Sequence, residues 1–382
     1  MPAGSYKLLM IIGRFYPDTG GTEKACQRTA QKLKERGCDI TILTEYREGL
    51  PAYEMIDGIP VYRYIKGWHV FEATYMLSVL SFLLQHRHRI NGILCFGLYL
   101  FTAPAILFCR CTGRRIFFRL GSARETGDIH RIAQLKQNRF ILWCAKKAHG
   151  AVALTGEIEA ELAGKGFLQD KIVRISNGVD TEKFFPPPEK PASPFVICYV
   201  GRLVAGKGLE TLIKALKSLK EYTAAFSVLI VGAGELATSL TRQAEQSGLK
   251  EFVRFVGEAD NVLPYYQQAH AFVLPSYSEG MPLALLEAMS CGVCVVATPV
   301  GGIKDIIRVM EENLAEQRGY RVYANGILFN PGDYSALAAA LARLISDQEL
   351  RSRLAKNSRA TIEETCSLPK VVNQYLDLFE LS

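Results

Sequence analysis

A chain of 382 residues exceeds what one hydrophobic core organises, so two or three domains are expected. With 49% apolar and 22% charged residues it can bury cores along its length, which excludes wholesale disorder. The formal net charge of +7 is uneven: residues 1–187 hold 26 Lys and Arg against 17 Asp and Glu, residues 188–382 hold 19 against 21. The basic half is expected to meet something anionic, with nucleic acid, a membrane surface and a phosphorylated ligand all open on charge alone.

The first half alternates strand and helix. Lys7–Ile12 reads as a strand, Thr22–Arg36 as a helix closed by Gly37, and Asp39–Thr44 as a second strand. Val61–Ile65, Gly92–Phe96, Arg115–Arg119 and Ala151–Leu154 read as further strands. Between them, Trp68–Ile90 has an aromatic entry (Trp68, Phe71, Tyr75) and a basic exit, His86-Arg87-His88-Arg89. That pattern suits an interfacial helix on an anionic membrane, and equally a helix packed on the sheet. The uncharged run Ile90–Cys109 has about the length of a bilayer core. Gly97 and Pro104 interrupt it, so it reads as a buried strand with a helix over Ala103–Cys109 behind it.

After the turn Asn177-Gly178 come Pro186, Pro187, Pro188, Pro191 and Pro194, which mark a stiff linker and divide the chain into residues 1–187 and 188–382. The alternation then restarts with Phe195–Val200, helix Leu209–Lys220, Phe226–Val231, helix Glu235–Gln246, Val253–Val256, Ala271–Leu274 and Val293–Ala297. Strands alternating with helices imply parallel sheets. The expected fold class is therefore α/β, with two Rossmann-like doubly wound domains facing a central cleft lined by strand carboxyl ends. Ten cysteines without framework spacing, and no cleavable signal sequence, point to a reduced, cytoplasmic protein. Cys291-Gly-Val-Cys294 reads as two small buried residues at a helix–strand turn rather than a redox pair.

Four loops carry chemistry. In Phe15-Tyr16-Pro17-Asp18-Thr19-Gly20-Gly21 the paired glycines let backbone N–H groups approach an anion at a helix start, though an ordinary turn uses glycine too. Gly201-Arg202-Leu203-Val204-Ala205-Gly206-Lys207-Gly208 follows the strand Phe195–Val200. There Arg202, by forked hydrogen bonds, and Lys207, as a point charge, suit a diphosphate, unless both are merely solvated. The loop lacks the GxxxxGK[ST] order, so ATP hydrolysis is not supported. Gly232-Ala-Gly234-Glu-Leu-Ala237 fits the relaxed dinucleotide pattern, but it follows the second strand of its domain and lacks the later acidic residue.

In the fourth loop, Pro275–Met289, Glu279 ends a turn after Ala271–Leu274, Pro282 suits a first helical turn, and Glu287 lies inside the helix. A carboxylate at such an entrance suits sugar hydroxyls, while the helix start over Gly280, Met281, Pro282 and Leu283 suits phosphate oxygens. The plainer alternatives are a dipole-stabilised carboxylate for Glu279 and a half-buried ion pair for Glu287. His69, His86, His88, His130, His149 and His270 fit no metal-ligand spacing, and no Asp-x-Asp occurs, so no metal is expected.

On these residues the chain resembles, over nearly its whole length, the group 1 (family 4) retaining glycosyltransferases of the GT-B fold. Gly20-Gly21 matches the family's Gly-Gly loop, Asn177–Asp180 its Asn-Gly-Val-Asp turn, and Gly201–Gly208 its Gly-Arg-Leu…Lys-Gly loop. Glu279 and Glu287 match its Glu-x7-Glu motif, and Gly301-Gly302 a later Gly-Gly turn. The resemblance implies that Arg202 and Lys207 hold a donor diphosphate, Glu279 the donor sugar, Glu287 the ribose, and the backbone near Val256 the base. Where many members carry His-Gly, this chain has Arg119-Leu120-Gly121-Ser122 and then Arg124-Glu125-Thr126-Gly127-Asp128. A Gly-Ser…Gly-Asp variant in some members puts forward Ser122 and Asp128 at that place.

The implied reaction moves a sugar from a nucleotide-diphospho-sugar, a co-substrate rather than a cofactor, to a sugar or lipid-linked acceptor hydroxyl with retention. Polysaccharide, glycolipid or glycoconjugate biosynthesis is the implied setting, with the first domain on the acceptor side and the second on the donor side. The last helix is allowed to pack back on the first domain. The basic first half and the Trp68–Ile90 segment put forward a peripheral contact with the anionic inner face of a membrane, and no nucleic-acid partner is expected. The rivals are a nucleotide-sugar epimerase or sugar phosphorylase on the same fold, and a non-catalytic sugar- or nucleotide-binding subunit.

Overall fold

A strand whose apolar run shows no alternation must be covered on both faces. Leu8–Ile12 is such a run, and in the computed structural model it forms most of β1 (Lys7–Ile12), buried from Leu8 onward. The structure describes residues 6–18, 20–67, 73–123, 127–189, 194–307, 310–312 and 319–381. They form two units: Met1–Gly178 with Leu368–Ser382, and Val179–Ser367.

In the first unit β1 is followed by α1 (Gly21–Glu35), β2 (Asp39–Glu45), β3 (Tyr53–Ile56), β4 (Ile59–Ile65) and α2 (Ala73–Gln85). Then come β5 (Gly92–Phe96), α3 (Ala103–Thr112), β6 (Arg115–Leu120), α4 (Asp128–Ala133), α5 (Asn138–Ala145), β7 (Gly150–Ala153), α6 (Gly156–Gly164) and β8 (Ile172–Arg174). The sheet order is β3-β4-β2-β1-β5-β6-β7-β8, parallel except for the β3–β4 hairpin. Asp57 and Gly58 make its turn at φ 51° and 69°, the two left-handed residues a type I′ turn needs.

The run Ile90–Cys109 forms β5, a bend at Gly97, a short 3-10 turn and then α3. Among the described residues no helix is long and apolar enough to cross a membrane. α2 packs on the sheet through buried Val79, Phe82 and Leu83, yet Leu77, Leu80 and Leu84 on its other side are exposed. Trp68 and Phe71, the expected aromatic entry, lie outside the described residues.

The second unit runs β9 (Phe195–Val200), α7 (Leu209–Tyr222), β10 (Phe226–Val231), α8 (Ala237–Gln246), β11 (Val253–Gly257), α9 (Leu263–Gln268) and β12 (Ala271–Leu274). It continues with α10 (Leu283–Ser290), β13 (Cys294–Ala297), α11 (Ile303–Ile306), β14 (Met310–Glu312), β15 (Tyr320–Tyr323), β16 (Gly326–Phe329), α12 (Tyr334–Ser346) and α13 (Gln348–Thr365). The order β11-β10-β9-β12-β13-β16-β15-β14 is parallel as far as β16, and β15 pairs antiparallel with both its neighbours. Both units are thus Rossmann-like and doubly wound. In each, strand order reverses beside the unit's first strand, between β1 and β5 and between β9 and β12. In such sheets the ligand crevice lies at that reversal, outside the strand carboxyl ends.

The chain divides at Gly178/Val179 rather than at 187/188, because the residues before the prolines already belong to the second unit. The Val179 N–H donates to the Cys366 carbonyl at 2.9 Å. The Phe184 carbonyl accepts from Ser290 Oγ at 2.6 Å and Arg359 Nη1 at 2.7 Å. The prolines therefore stiffen part of the second unit's own surface, with Pro191 outside the described residues. The last helix, α14 (Leu368–Leu378), lies in the first unit, where Leu368, Val371, Val372, Tyr375 and Leu376 share a core with Cys26, Ala30 and Leu33 of α1. All ten cysteines are free thiols, and all but Cys111 are buried; burial pushes the Cys109 thiol up to about 12. Cys294 of the CxxC pair donates its thiol to the Arg351 carbonyl at 3.0 Å.

Candidate functional site

β12 pairs with β9 through Ala271–Ile197 and Phe272–Cys198, so the loops leaving their carboxyl ends are forced together. The first loop is Gly201–Gly208 and the second begins at Pro275. They join backbone to backbone, the Tyr277 N–H donating to the Gly206 carbonyl at 2.9 Å. Gly208 has φ 68°, and a methyl group there would run into the Pro275 carbonyl, so this approach requires glycine twice over.

Lys207 is thereby carried to the second loop, its Nζ 2.7 Å from Glu279 Oε1, with the two side chains 20% and 8% exposed. Ser276 Oγ donates to the same oxygen at 2.7 Å, and Thr298, beyond β13, donates to the Ser276 carbonyl at 2.5 Å. Glu279 Oε2 has no partner among the described residues. Arg202 is held through its backbone, whose carbonyl accepts from the Tyr199 hydroxyl at 3.0 Å. Its guanidinium is exposed, with no hydrogen-bond or ion-pair partner among the described residues. Burial, and then the Glu279 charge, push the Tyr199 phenol up, so it stays a neutral donor.

Gly280 and Met281 lead into α10, which Pro282 precedes as the N-cap residue, and no side chain caps the helix. Its first N–H groups therefore lack intrahelical acceptors and present the positive end of the helix dipole. α10 carries Glu287 inward to 5% exposure, where Oε2 accepts from the Tyr266 hydroxyl of α9 at 2.9 Å. Burial first, and Glu287 second, push that phenol well above its usual range. The Gly301-Gly302 turn closes on the same loop: the Gly302 N–H donates to the Gly280 carbonyl at 2.6 Å, and Gly301, at φ 53°, lies against the Glu279 carbonyl.

Val256 lies half-buried near the carboxyl end of β11, two strands from β9. The dinucleotide-like loop after β10 has its backbone engaged internally. The Gly232 N–H donates to Gly257, and the Leu203 N–H to Ala233 at 2.8 Å; the Leu236 N–H returns to Leu203 at 2.9 Å. Side chains at 232 and 234 would strike the Gly201 and Leu203 carbonyls, so these glycines serve loop packing.

The remaining sequence candidates lie in the first unit. Gly20 is the N-cap of α1, and nothing described lies within 4 Å of where a Gly21 Cβ would stand; Thr19 is outside the described residues. A Cβ on Gly121 would lie 3.6 Å from Thr22 Oγ1, so the turn after β6 borders the start of α1. Asp128 begins α4 and is already engaged, accepting from the Gly121 N–H at 3.2 Å and from Arg131 Nη2 at 2.8 Å. Ser122 is half-buried, and residues 124–126 lie outside the described residues. The Asn177 amide oxygen accepts from buried Arg119, and Asp180 Oδ1 from the Glu182 and Lys183 N–H groups, each at 3.0 Å. Among the described residues no group of His, Cys, Asp and Glu is placed to hold a metal.

Sequence reasoning missed Ser276, Tyr277, Tyr266 and Thr298. Ser276 had a signal, since it stands three residues before Glu279 in a Ser-x-x-Glu spacing. Tyr266 had none, because its bond to Glu287 spans 21 residues and two elements.

Residues 180–361 match the family described as Glycosyl transferases group 1, and residues 19–183 match Glycosyltransferase Family 4. An uncharacterized glycosyltransferase of Methanocaldococcus jannaschii is 25% identical over 409 aligned residues, covering 98% of each chain. The gpi3 subunit of phosphatidylinositol N-acetylglucosaminyltransferase from Schizosaccharomyces pombe is 24% identical over 316 residues, 78% of this chain and 67% of that protein. Among solved structures, Anabaena HepE in complex with UDP has a TM-score of 0.78 at 18% identity, covering 98% of this chain and 99% of that one. Sucrose-phosphate synthase from Thermosynechococcus elongatus has a TM-score of 0.74 at 20% identity, covering 98% and 100%. These two likenesses concern the fold.

Proposed function

We infer, from the premise that this chain belongs to the group 1 glycosyltransferases, that it moves a sugar from a nucleotide-diphospho-sugar to an acceptor hydroxyl. The observation that supports the reading is the junction of two loops at the reversal point of the second sheet, where Lys207 meets Glu279 at 2.7 Å on the loop that also carries Arg202, whose guanidinium has no partner among the described residues. In this reading Arg202 and Lys207 take the diphosphate, Glu279 the donor sugar, Glu287 the ribose and the backbone near Val256 the base. Residues 179–367 carry the donor, with Gly20 and Gly21 as further donor-binding candidates, and the first unit, with Ser122 and Asp128, serves the acceptor.

Negative charge collects on the diphosphate as its bond to the sugar breaks. In this reading a fixed cation and an uncapped helix start face that developing charge, and preorganised groups of this kind need no reorganisation during the reaction. An arriving diphosphate competes with Glu279 for the Lys207 ammonium, which frees Oε1 for a sugar hydroxyl. Retention follows if the acceptor attacks from the leaving group's own face, its proton passing to a diphosphate oxygen. The anomeric configuration of the first product, read by NMR, tests that step.

The donor reading is tested by thermal shift against UDP-, GDP-, ADP- and dTDP-sugars, since a ligand at 100 times its Kd adds about 2.7 kcal/mol. UDP comes first, because HepE was solved with UDP and with UDP-glucose. A chain that none of the four stabilises at millimolar concentration overturns the reading.

A second proposal concerns place: the first unit rests on an anionic membrane surface that carries the acceptor. Supporting it, the exposed Leu77, Leu80 and Leu84 of α2 are joined by exposed Phe140 and Trp143 of α5, and α3 contacts both helices. Arg87, His88 and Arg89 stand exposed beyond the end of α2, and Lys147 Nζ lies over the Trp143 ring, 4.3 Å from its centroid. An apolar face with a cationic border is the composition an interfacial surface needs.

A further inference from the structure

The first unit has a cavity of its own that the donor reading does not use. It has a volume of about 350 Å³ and lies at the carboxyl ends of β1, β2 and β4, lined among others by Arg14, Asp18, Glu45, Arg47 and Arg63. The three arginines are not equivalent. Arg63 is 2% exposed and fully engaged, with Nη2 on the Tyr16 carbonyl at 2.6 Å, Nη1 on the Pro51 carbonyl at 3.2 Å, and an ion pair to Glu54. Arg47 pairs with Asp18 at 2.7 Å in an exposed bridge. Arg14 has no hydrogen-bond or ion-pair partner among the described residues. Glu45, at the end of β2, is half-buried; burial raises its carboxyl pKa, while Arg14 first and Arg131 second pull it back down.

We propose that this cavity is the acceptor subsite and that it takes a sugar or polyol bearing an acidic group, a carboxylate or a phosphate. Arg14 grips the acid and Glu45 accepts from the hydroxyls. The word acceptor rests on the glycosyltransferase reading; the binding does not. The volume lies near the lower end of small-molecule clefts, roughly 300–1,000 Å³, which suits one or two sugar rings. Glu54 and Asp18 already neutralise Arg63 and Arg47, which leaves the Arg14 guanidinium, held by no hydrogen bond or ion pair among the described residues, as the planar fork matched to carboxylate and phosphate. A neutral sugar would leave that fork unused.

Calorimetry on the full chain tests this with glucuronate, glucose 6-phosphate, glucose and inorganic phosphate, and with UDP titrated separately. At least one acidic sugar is expected to bind about tenfold more tightly than glucose, and the better of the two identifies the acid. Arg14→Ala is expected to weaken that sugar by about tenfold to a hundredfold, as loss of a charged hydrogen bond does, with Arg14→Lys in between and UDP affinity unchanged. Glu45→Gln is expected to weaken glucose 6-phosphate more than inorganic phosphate. Glucose binding as tightly as both acids, or Arg14→Ala without effect on them, overturns the proposal. UDP binding that persists while the acidic sugars fail sinks this inference alone; UDP failing while they bind sinks only the donor reading.

Discussion

Lys207 shows how a single side chain is kept ready for an anion. Its ammonium is neither loose nor buried but held at 2.7 Å by a carboxylate that Ser276 also grips. We expect Arg202→Ala or Lys207→Ala to lower kcat/KM by on the order of a hundredfold, the usual cost of losing a preorganised charge. Steady-state kinetics on folded variants check this, and unchanged values would reduce the pair to a solvated loop. The two glutamates should separate. Glu279→Gln is expected to act mainly on kcat, since its Oε2 is uncommitted. Glu287→Gln keeps an acceptor for Tyr266 and is expected to weaken nucleotide binding instead, whereas Glu287→Leu also strands the buried hydroxyl, at about 1–3 kcal/mol of stability. Nucleotide affinity unchanged in Glu287→Gln refutes the ribose role. At this scale the sequence already carried Arg202, Lys207 and both glutamates in motifs. It did not carry Arg14 or Tyr266, whose significance comes from neighbours far along the chain.

Among the elements, the parallel strands were legible because strands covered on both faces lose their alternation. β3 was not, although Asp57-Gly58 is a hairpin signal, because the strand it closes is short and carries Glu54. The proline cluster misled for a physical reason: proline reports stiffness, and stiff chain serves a domain surface as readily as a linker. The glycine loops separate by φ and by neighbour. Gly208→Ala is expected to destabilise the second unit by about 1–2 kcal/mol from the left-handed backbone alone, with the Pro275 contact adding to it. A lowered Tm together with weakened nucleotide binding is the expected result, because the clash pushes the two site loops apart. A neutral Gly208→Ala would mean that the loops tolerate separation.

For the molecule as a whole, the charge asymmetry of the sequence meets exposed apolar side chains on α2 and α5 of the first unit. Co-sedimentation with vesicles is expected to favour anionic over neutral lipid and to fall with salt, each Lys or Arg near the surface contributing about 1 kcal/mol. Leu80→Ser with Trp143→Ser should abolish it without loss of fold, since both side chains are exposed. No binding to any vesicle at any salt overturns the membrane proposal. A second expectation concerns α14. Its buried Val371, Val372, Tyr375 and Leu376 each contribute roughly 1.5–3 kcal/mol when covered. Cutting the chain after Ser367 should therefore remove on the order of 6–12 kcal/mol, which is comparable to the whole stability of a domain. Aggregation, or loss of cooperative melting in the first unit, is the expected result; an unchanged first unit would contradict the packing.

That helix also sets a timetable for synthesis. The first unit is made first but completed last, because its closing piece is encoded beyond all of Val179–Ser367. At about 5–20 residues per second, translation of the intervening stretch takes roughly 10–40 s. Throughout that interval the apolar groove beside Cys26, Ala30 and Leu33 lacks its cover while the nascent chain lengthens. The second unit, being contiguous, has all its parts before the first does. A chain wired in this way finishes from the inside outward, and its N-terminal half is the part in most need of a chaperone's protection during translation.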